Sequence, residues 1–139
     1  MENRNAAVPA ELLQRCLRQA ADVTLNRVTV DGESSTNDSV IALASGVSGA
    51  AVTDKCLAVF QNALRTVLGE LARQIAADGE GASKLVRVRV SGALNEADAE
   101  RAARAVAESL LVKCAVRGGD ANWGRIVCAL GYSGAELSA

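Results

Sequence analysis

The chain has 139 residues, half of them hydrophobic and 22% charged, with 15 basic side chains against 16 acidic ones for a formal charge of -1. That length suits a single domain, 1–139, with a real core, and the apolar share excludes extensive disorder. Charge so balanced, and spread along the sequence, argues against a nucleic-acid partner or an anionic membrane surface.

No apolar run approaches the roughly 18 residues of a membrane span, and Met1-Glu2-Asn3-Arg4-Asn5 lacks the layout of a signal peptide, so a cytoplasmic location is expected. Histidine is absent. That removes Ser-His-Asp and Cys-His units from within the chain, and with them the commonest metal ligand. The bases left are a carboxylate, a lysine, or the α-amine of an N-terminal threonine acting on its own hydroxyl. Cys16, Cys56, Cys114 and Cys128 form no Cys-x-x-Cys pair and read as reduced, buried thiols.

In chain order, Pro9 suits the first turn of a helix whose apolar face is Leu12, Leu13, Cys16, Leu17, Ala20 and Ala21. Thr24 to Val30 reads as a strand. The polar run 31–38 supplies a turn and helix caps, and a second helix is expected from the apolar segment Val40 to Ala44. Between Thr53 and Ala77 apolar residues recur at threes and fours from Cys56 to Ile75, the pattern of a long helix. Lys84 to Ser91 alternates, with Val86, Val88 and Val90 on one face and Arg87, Arg89 and Ser91 on the other, as in a half-solvated strand. Asn95 and Asp98 resemble a capping box before a helix whose stripe is Ala99, Ala102, Ala103, Val106, Ala107 and Leu110. Leu111 to Val116 reads as a strand, and a last helix is expected from near Asn122 to Gly131. The class is α/β, with strand order left open.

Three polar junctions stand out, because loops between elements commonly carry function. Asp31-Gly32-Glu33-Ser34-Ser35-Thr36-Asn37-Asp38 contains no phosphate-loop lysine or dinucleotide fingerprint, and its carboxylates would repel a phosphate, so helix capping suits it better. In Asp78-Gly79-Glu80-Gly81-Ala82-Ser83-Lys84, the flanking glycines let the backbone present Glu80 to a substrate ammonium, although a plain solvated turn fits the same residues. Gly118-Gly119-Asp120-Ala121-Asn122-Trp123-Gly124-Arg125 gathers an acid, an amide, an indole and a guanidinium in eight residues. That composition fits a built site, and it equally fits a turn in which Asp120 or Asn122 caps a helix and Trp123 packs into the core.

Taken together and in this order, the three segments resemble the motifs of the ornithine acetyltransferase family, bifunctional glutamate N-acetyltransferases of arginine biosynthesis. The likeness runs from about Ala6 to Gly134 and includes Asn26-Arg27-Val28-Thr29-Val30 and Leu111-Val112-Lys113. It implies acetyl transfer from N-acetylornithine to glutamate, with acetyl-CoA as a further acetyl donor in bifunctional members, no bound cofactor and no metal. It also implies a nucleophilic threonine freed by self-cleavage of a precursor, in keeping with the missing histidine.

The sequence departs from the family at that point. There is no Ala-Thr dipeptide, and the only methionine is Met1, so no catalytic residue is assigned here. The oxyanion hole, a substrate lysine and the C-terminal asparagine and hydroxyl of family members have no counterparts. Among the family's substrate-binding residues only the glutamate of the Glu-Gly-Ala motif transfers, to Glu80. Asp120, Asn122, Trp123 and Arg125 match a family signature and are assigned to shaping the site, while Lys84 and Arg117 are carboxylate partners by charge alone. The resemblance implies a layered sheet-helix sandwich, of which the chain would be a central part truncated at both ends. Open sheet edges or apolar faces would then favour self-association or pairing with a threonine-bearing chain.

Overall fold

The computed structural model describes residues 6–136. Their contacts divide them into two compact units: one is the chain up to Val28 with Ser34–Ile75, the other Thr29–Glu33 with the chain from Ala76 onward.

The first unit begins with helix α1, Ala10–Asp22, entered through Pro9, whose carbonyl accepts the Leu13 N–H at 2.9 Å. Proline suits this place because an N–H there would have no helical partner. Cys16 and Ala20 are buried on the expected face. The strand expected from Thr24 is instead a tight turn, Leu25–Arg27. The Thr24 hydroxyl folds back onto Ala20 O at 2.6 Å, and Arg27 and Val28 N–H groups bond three residues back, at 3.0 and 3.1 Å. Local partners thus satisfy the backbone that a strand would have left free.

The helix expected from Val40 is also absent, and Ile41 and Leu43 stand exposed on irregular backbone. Side chains around the segment bond neighbouring backbone, as Ser35 Oγ does with Asn37 N–H and Ser45 Oγ with Val47 N–H, and such turns compete with helix. Among the described residues β pairing is confined to one parallel bridge between Ala7 and Ala51. The long helix α2, Leu57–Ala77, forms as expected and buries Leu68 and Ala72.

The second unit has its core at Val106, Val112 and Ala129, with Val88, Val116 and Leu130 packed against it. Helix α3, Glu96–Glu108, starts with the expected box: Asn95 Oδ1 accepts the Asp98 N–H at 2.9 Å, and Asn95 Nδ2 donates to Asp98 Oδ2 at 2.8 Å. The strand expected at Leu111 to Val116 is a helix, α4, Leu110–Gly118. Ser109 both ends α3 and caps α4, accepting the Val112 N–H at 3.4 Å. Leu110, expected in the α3 stripe, therefore opens α4 and is exposed. Helix α5, Trp123–Gly131, falls where expected.

Lys84 to Ser91 joins no ladder among the described residues, and its alternation holds only in part: Val88 and Val90 are half-buried and Arg87 and Arg89 exposed, but Val86, expected on the inner face, is 53% exposed. The four thiols are free, as expected, yet only Cys16 is buried; Cys114 and Cys128 lie exposed on α4 and α5.

Candidate functional site

The second unit gathers the start of the first polar junction with the whole of the second and third. The Glu80 turn is closed by Ala82 N–H on Gly79 O at 2.8 Å, with Gly81 at a φ of +66°. That sign of φ at the third position of a turn asks for glycine. Gly79 is glycine for another reason: a Cβ there would stand 3.0 Å from Val30 Cγ1. Glu80 is left at the tip, exposed and without an ion pair among the described residues.

The turn is held against the end of α4. Lys84 Nζ donates to Val116 O at 2.5 Å and to Arg117 O at 3.5 Å, and Arg117 Nη1 donates to Ser83 Oγ. A lysine on the last carbonyls of a helix also meets the negative end of its dipole. Lys84 and Arg117, expected from charge to meet carboxylates, therefore serve this junction. Lys113 Nζ of α4 reaches Val30 O at 2.8 Å, just before Asp31, and Asp31 Oδ1 accepts the Glu33 N–H at 2.8 Å.

The third junction follows directly from α4. Gly119 takes the left-handed conformation, φ +71°, that ends the helix, and Asp120 N–H bonds back to Ala115 O at 2.9 Å. Asn122 donates from Nδ2 to Asp120 Oδ2 at 3.0 Å and accepts the Arg125 N–H at 3.2 Å on Oδ1, capping α5. Arg125 Nη1 donates to Leu111 O at 2.8 Å, tying α5 to the first turn of α4. Capping by Asn122 is thus as one reading of the sequence had it, but Trp123 does not enter the core: it is 75% exposed.

Two polar residues are buried in ways the sequence reading did not foresee. Asp98, 2% exposed, does more than complete the box on α3, because its Oδ1 accepts from Arg101 Nη2 and from the Glu136 N–H, the latter at 3.2 Å. The Glu136 N–H above all, with Arg101 and Asn95, holds its carboxyl below the usual range against the upward push of burial. Ser109 was passed over although a serine before an apolar run is a cap signal. Among the described residues no cluster of acidic or cysteine side chains could hold a metal ion.

Comparison with known proteins places the chain in a family. A family model described as "ArgJ family" matches residues 3–139. The chain belongs to the ArgJ family. It is 54% identical over 135 residues to the arginine biosynthesis bifunctional protein ArgJ of Nitratidesulfovibrio vulgaris, covering 97% of this chain and 34% of that one. It is 50% identical over 131 residues to the glutamate N-acetyltransferase of Methanocaldococcus jannaschii, covering 94% of this chain and 32% of that one. The crystal structure of the bifunctional protein ArgJ from Bacillus halodurans superposes with a TM-score of 0.91 at 46% identity, over 96% of this chain and 64% of that one. The fold is therefore that of ArgJ, and the chain spans about a third of the length of the curated relatives it matches. No helix among the described residues is long and apolar enough to cross a membrane.

Proposed function

We propose that these residues form the substrate-ammonium-binding part of a glutamate N-acetyltransferase of arginine biosynthesis, which moves acetyl from N-acetylornithine, or from acetyl-CoA, to glutamate. The observation that carries this reading is the Glu80 turn, built by two glycines with different steric roles and clamped to α4 in a chain of the ArgJ family. Glu80 holds a substrate ammonium through a charge-assisted contact. Asp120, Asn122 and Arg125 fix the path between α4 and α5 behind it. The enzyme works in the cytoplasm without a bound cofactor or metal.

The nucleophile is a threonine outside these 139 residues, which contain no Ala-Thr dipeptide, so the chain transfers acetyl only together with a threonine-bearing segment. The segments at 28–29, 40–45 and 84–91, which join no ladder among the described residues, are strands of a layered α/β sandwich in this reading.

Acetyl transfer from N-acetylornithine to glutamate, measured for the chain alone and with the threonine-bearing region of an ArgJ relative, tests the proposal. Transfer only in the mixture is expected. Transfer by the chain alone would refute the missing nucleophile, and none in either case would favour a noncatalytic amino-acid-binding module. Glu80→Gln should weaken ornithine binding by about 10- to 100-fold, the range for losing a hydrogen bond to a charged group. Unchanged binding by calorimetry would remove Glu80 from the site.

A further inference from the structure

The Glu80 turn is held from both ends by a single helix. After the turn, Ser83 Oγ accepts from Arg117, and Lys84 Nζ donates to Val116 O at 2.5 Å and to Arg117 O at 3.5 Å. Before it, Gly79 lies so close to Val30 that a Cβ would stand 3.0 Å from Val30 Cγ1, and Val30 O accepts from Lys113 Nζ at 2.8 Å. Lys113 and Arg117 are one helical turn apart, so both grips come from the same face of α4. Gly119 ends α4 just beyond that face, and the last carbonyls of a helix have no N–H from a further turn. Val116 O takes the Gly119 N–H at 3.2 Å and keeps a second lone pair for Lys84.

We propose that Lys84 and Lys113 are positioning residues for ligand binding: from opposite ends of the turn they fix the direction in which the Glu80 carboxylate is presented to a ligand ammonium. The inference rests on the reading of Glu80 as the ammonium-binding group. Neither lysine has an ion pair among the described residues. Each ammonium bonds backbone carbonyls instead, and so holds the path of the main chain on either side of Glu80. A carboxylate aimed before the ligand arrives spares binding the cost of ordering a loose turn. Lys84, four residues after Glu80, also brings a positive charge that repels a cationic ligand. Its field and its grip therefore predict opposite signs: losing the charge would tighten binding of a cation, and losing the grip would weaken it.

Calorimetry with ornithine, on the chain and on its mixture with the threonine-bearing region of an ArgJ relative, reads that sign. Lys84→Met and Lys113→Met drop the ammonium and keep an unbranched stem. Each should weaken binding about tenfold, within the range for residues that share one hydrogen-bond network, with the helical circular dichroism unchanged. Lys84→Arg, whose guanidinium can still donate to Val116 O, should recover most of the loss. In a Glu80→Gln background neither methionine should weaken binding further. Without ligand, the Ala82 amide, which closes the turn on Gly79 O, should exchange faster in both methionine variants, while that of Val106 in the core stays as it was.

Binding that is unchanged or tighter in the methionine variants, alongside a loss in Glu80→Gln, would overturn the positioning and leave Glu80 in its role. An equal loss in the Glu80→Gln background would also overturn it, since the lysines would then act by another route. If ornithine does not bind, or Glu80→Gln changes nothing, the reading of Glu80 falls. Ala82 exchange then decides the hold on the turn by itself: faster exchange supports it and unchanged exchange overturns it.

Discussion

Helices α3 and α5 pack on each other, yet they meet the outside with opposite chemistry. The outer face of α3 is charged, with Arg104 lying between Glu100 at 3.6 Å and Glu108 at 3.4 Å. The outer face of α5 offers an indole and two β-branched side chains. α3 was legible from its inner stripe, in which Ala102 and Val106 are buried, and α5 from its start near Asn122 and its stop at Gly131. What differs is the far side, charged on α3 and, beyond the core contact, apolar on α5.

The sharpest way to break this comparison is to put the same charge on the two faces of α5. Ala129→Asp places a carboxylate in the sealed core of the second unit, and the chain should lose about 4 kcal/mol or more of stability, enough to unfold that unit. Val127→Asp, two residues away, should stay within about 0.5 kcal/mol of the parent when the chain is alone. Chemical denaturation followed by circular dichroism measures both. Equal losses would mean that α5 has no free face.

Next in size stands Asp98, the buried carboxylate that joins the start of α3 to the backbone at Glu136. Its folded pKa is depressed, so its contribution is present above the ordinary carboxylate pKa and is lost as pH falls through the folded value. Asp98→Asn should therefore melt below the parent at neutral pH, and the gap should close as the pH is lowered below the usual carboxylate range. Glu70 on α2, brought to about 2 first by its bond to Arg73 and then by Gln74, titrates in both proteins and cancels from the difference. A gap constant with pH would show that Asp98 acts by shape and not by charge.

How far the sequence revealed the fold follows from the range of the forces involved. α1, α2, α3 and α5 were readable because their stripes and caps lie within one or two turns of chain, as with Pro9, Asn95 and Asn122. Leu111 to Val116 misled because a short apolar run suits a strand or a buried helix equally, and the deciding residue was Ser109, capping from outside the run. Thr24 misled because its hydroxyl turned back on α1. The extended segments could be found by alternation but not paired, since a partner strand is set by distant chain.

At the site, Glu80 between its glycines was visible as a motif. Its anchorage was not, because Lys84 and Arg117 reach carbonyl and hydroxyl partners about thirty residues away in sequence.

The caps come third. Asn122→Ala removes the acceptor for the Arg125 N–H and the donor to Asp120, and should cost about 1 kcal/mol, the usual value for a polar N-cap. Asn95→Ala should cost about the same in the isolated chain. Thermal melts of the two variants check both, and a loss confined to one of them would show that the other cap is replaced by water.

The smallest effect is expected at the charged face of α3. Arg104→Ala removes ion pairs whose partners are all well exposed, and exposed pairs contribute at most about 1 kcal/mol and often nothing measurable, because water screens the charges and long side chains lose freedom in pairing. A loss under about 0.5 kcal/mol is expected, shrinking further in added salt. A loss above about 1 kcal/mol that salt leaves unchanged would show that water does not screen these charges, and that the far side of α3 is not the water boundary its ion pairs indicate.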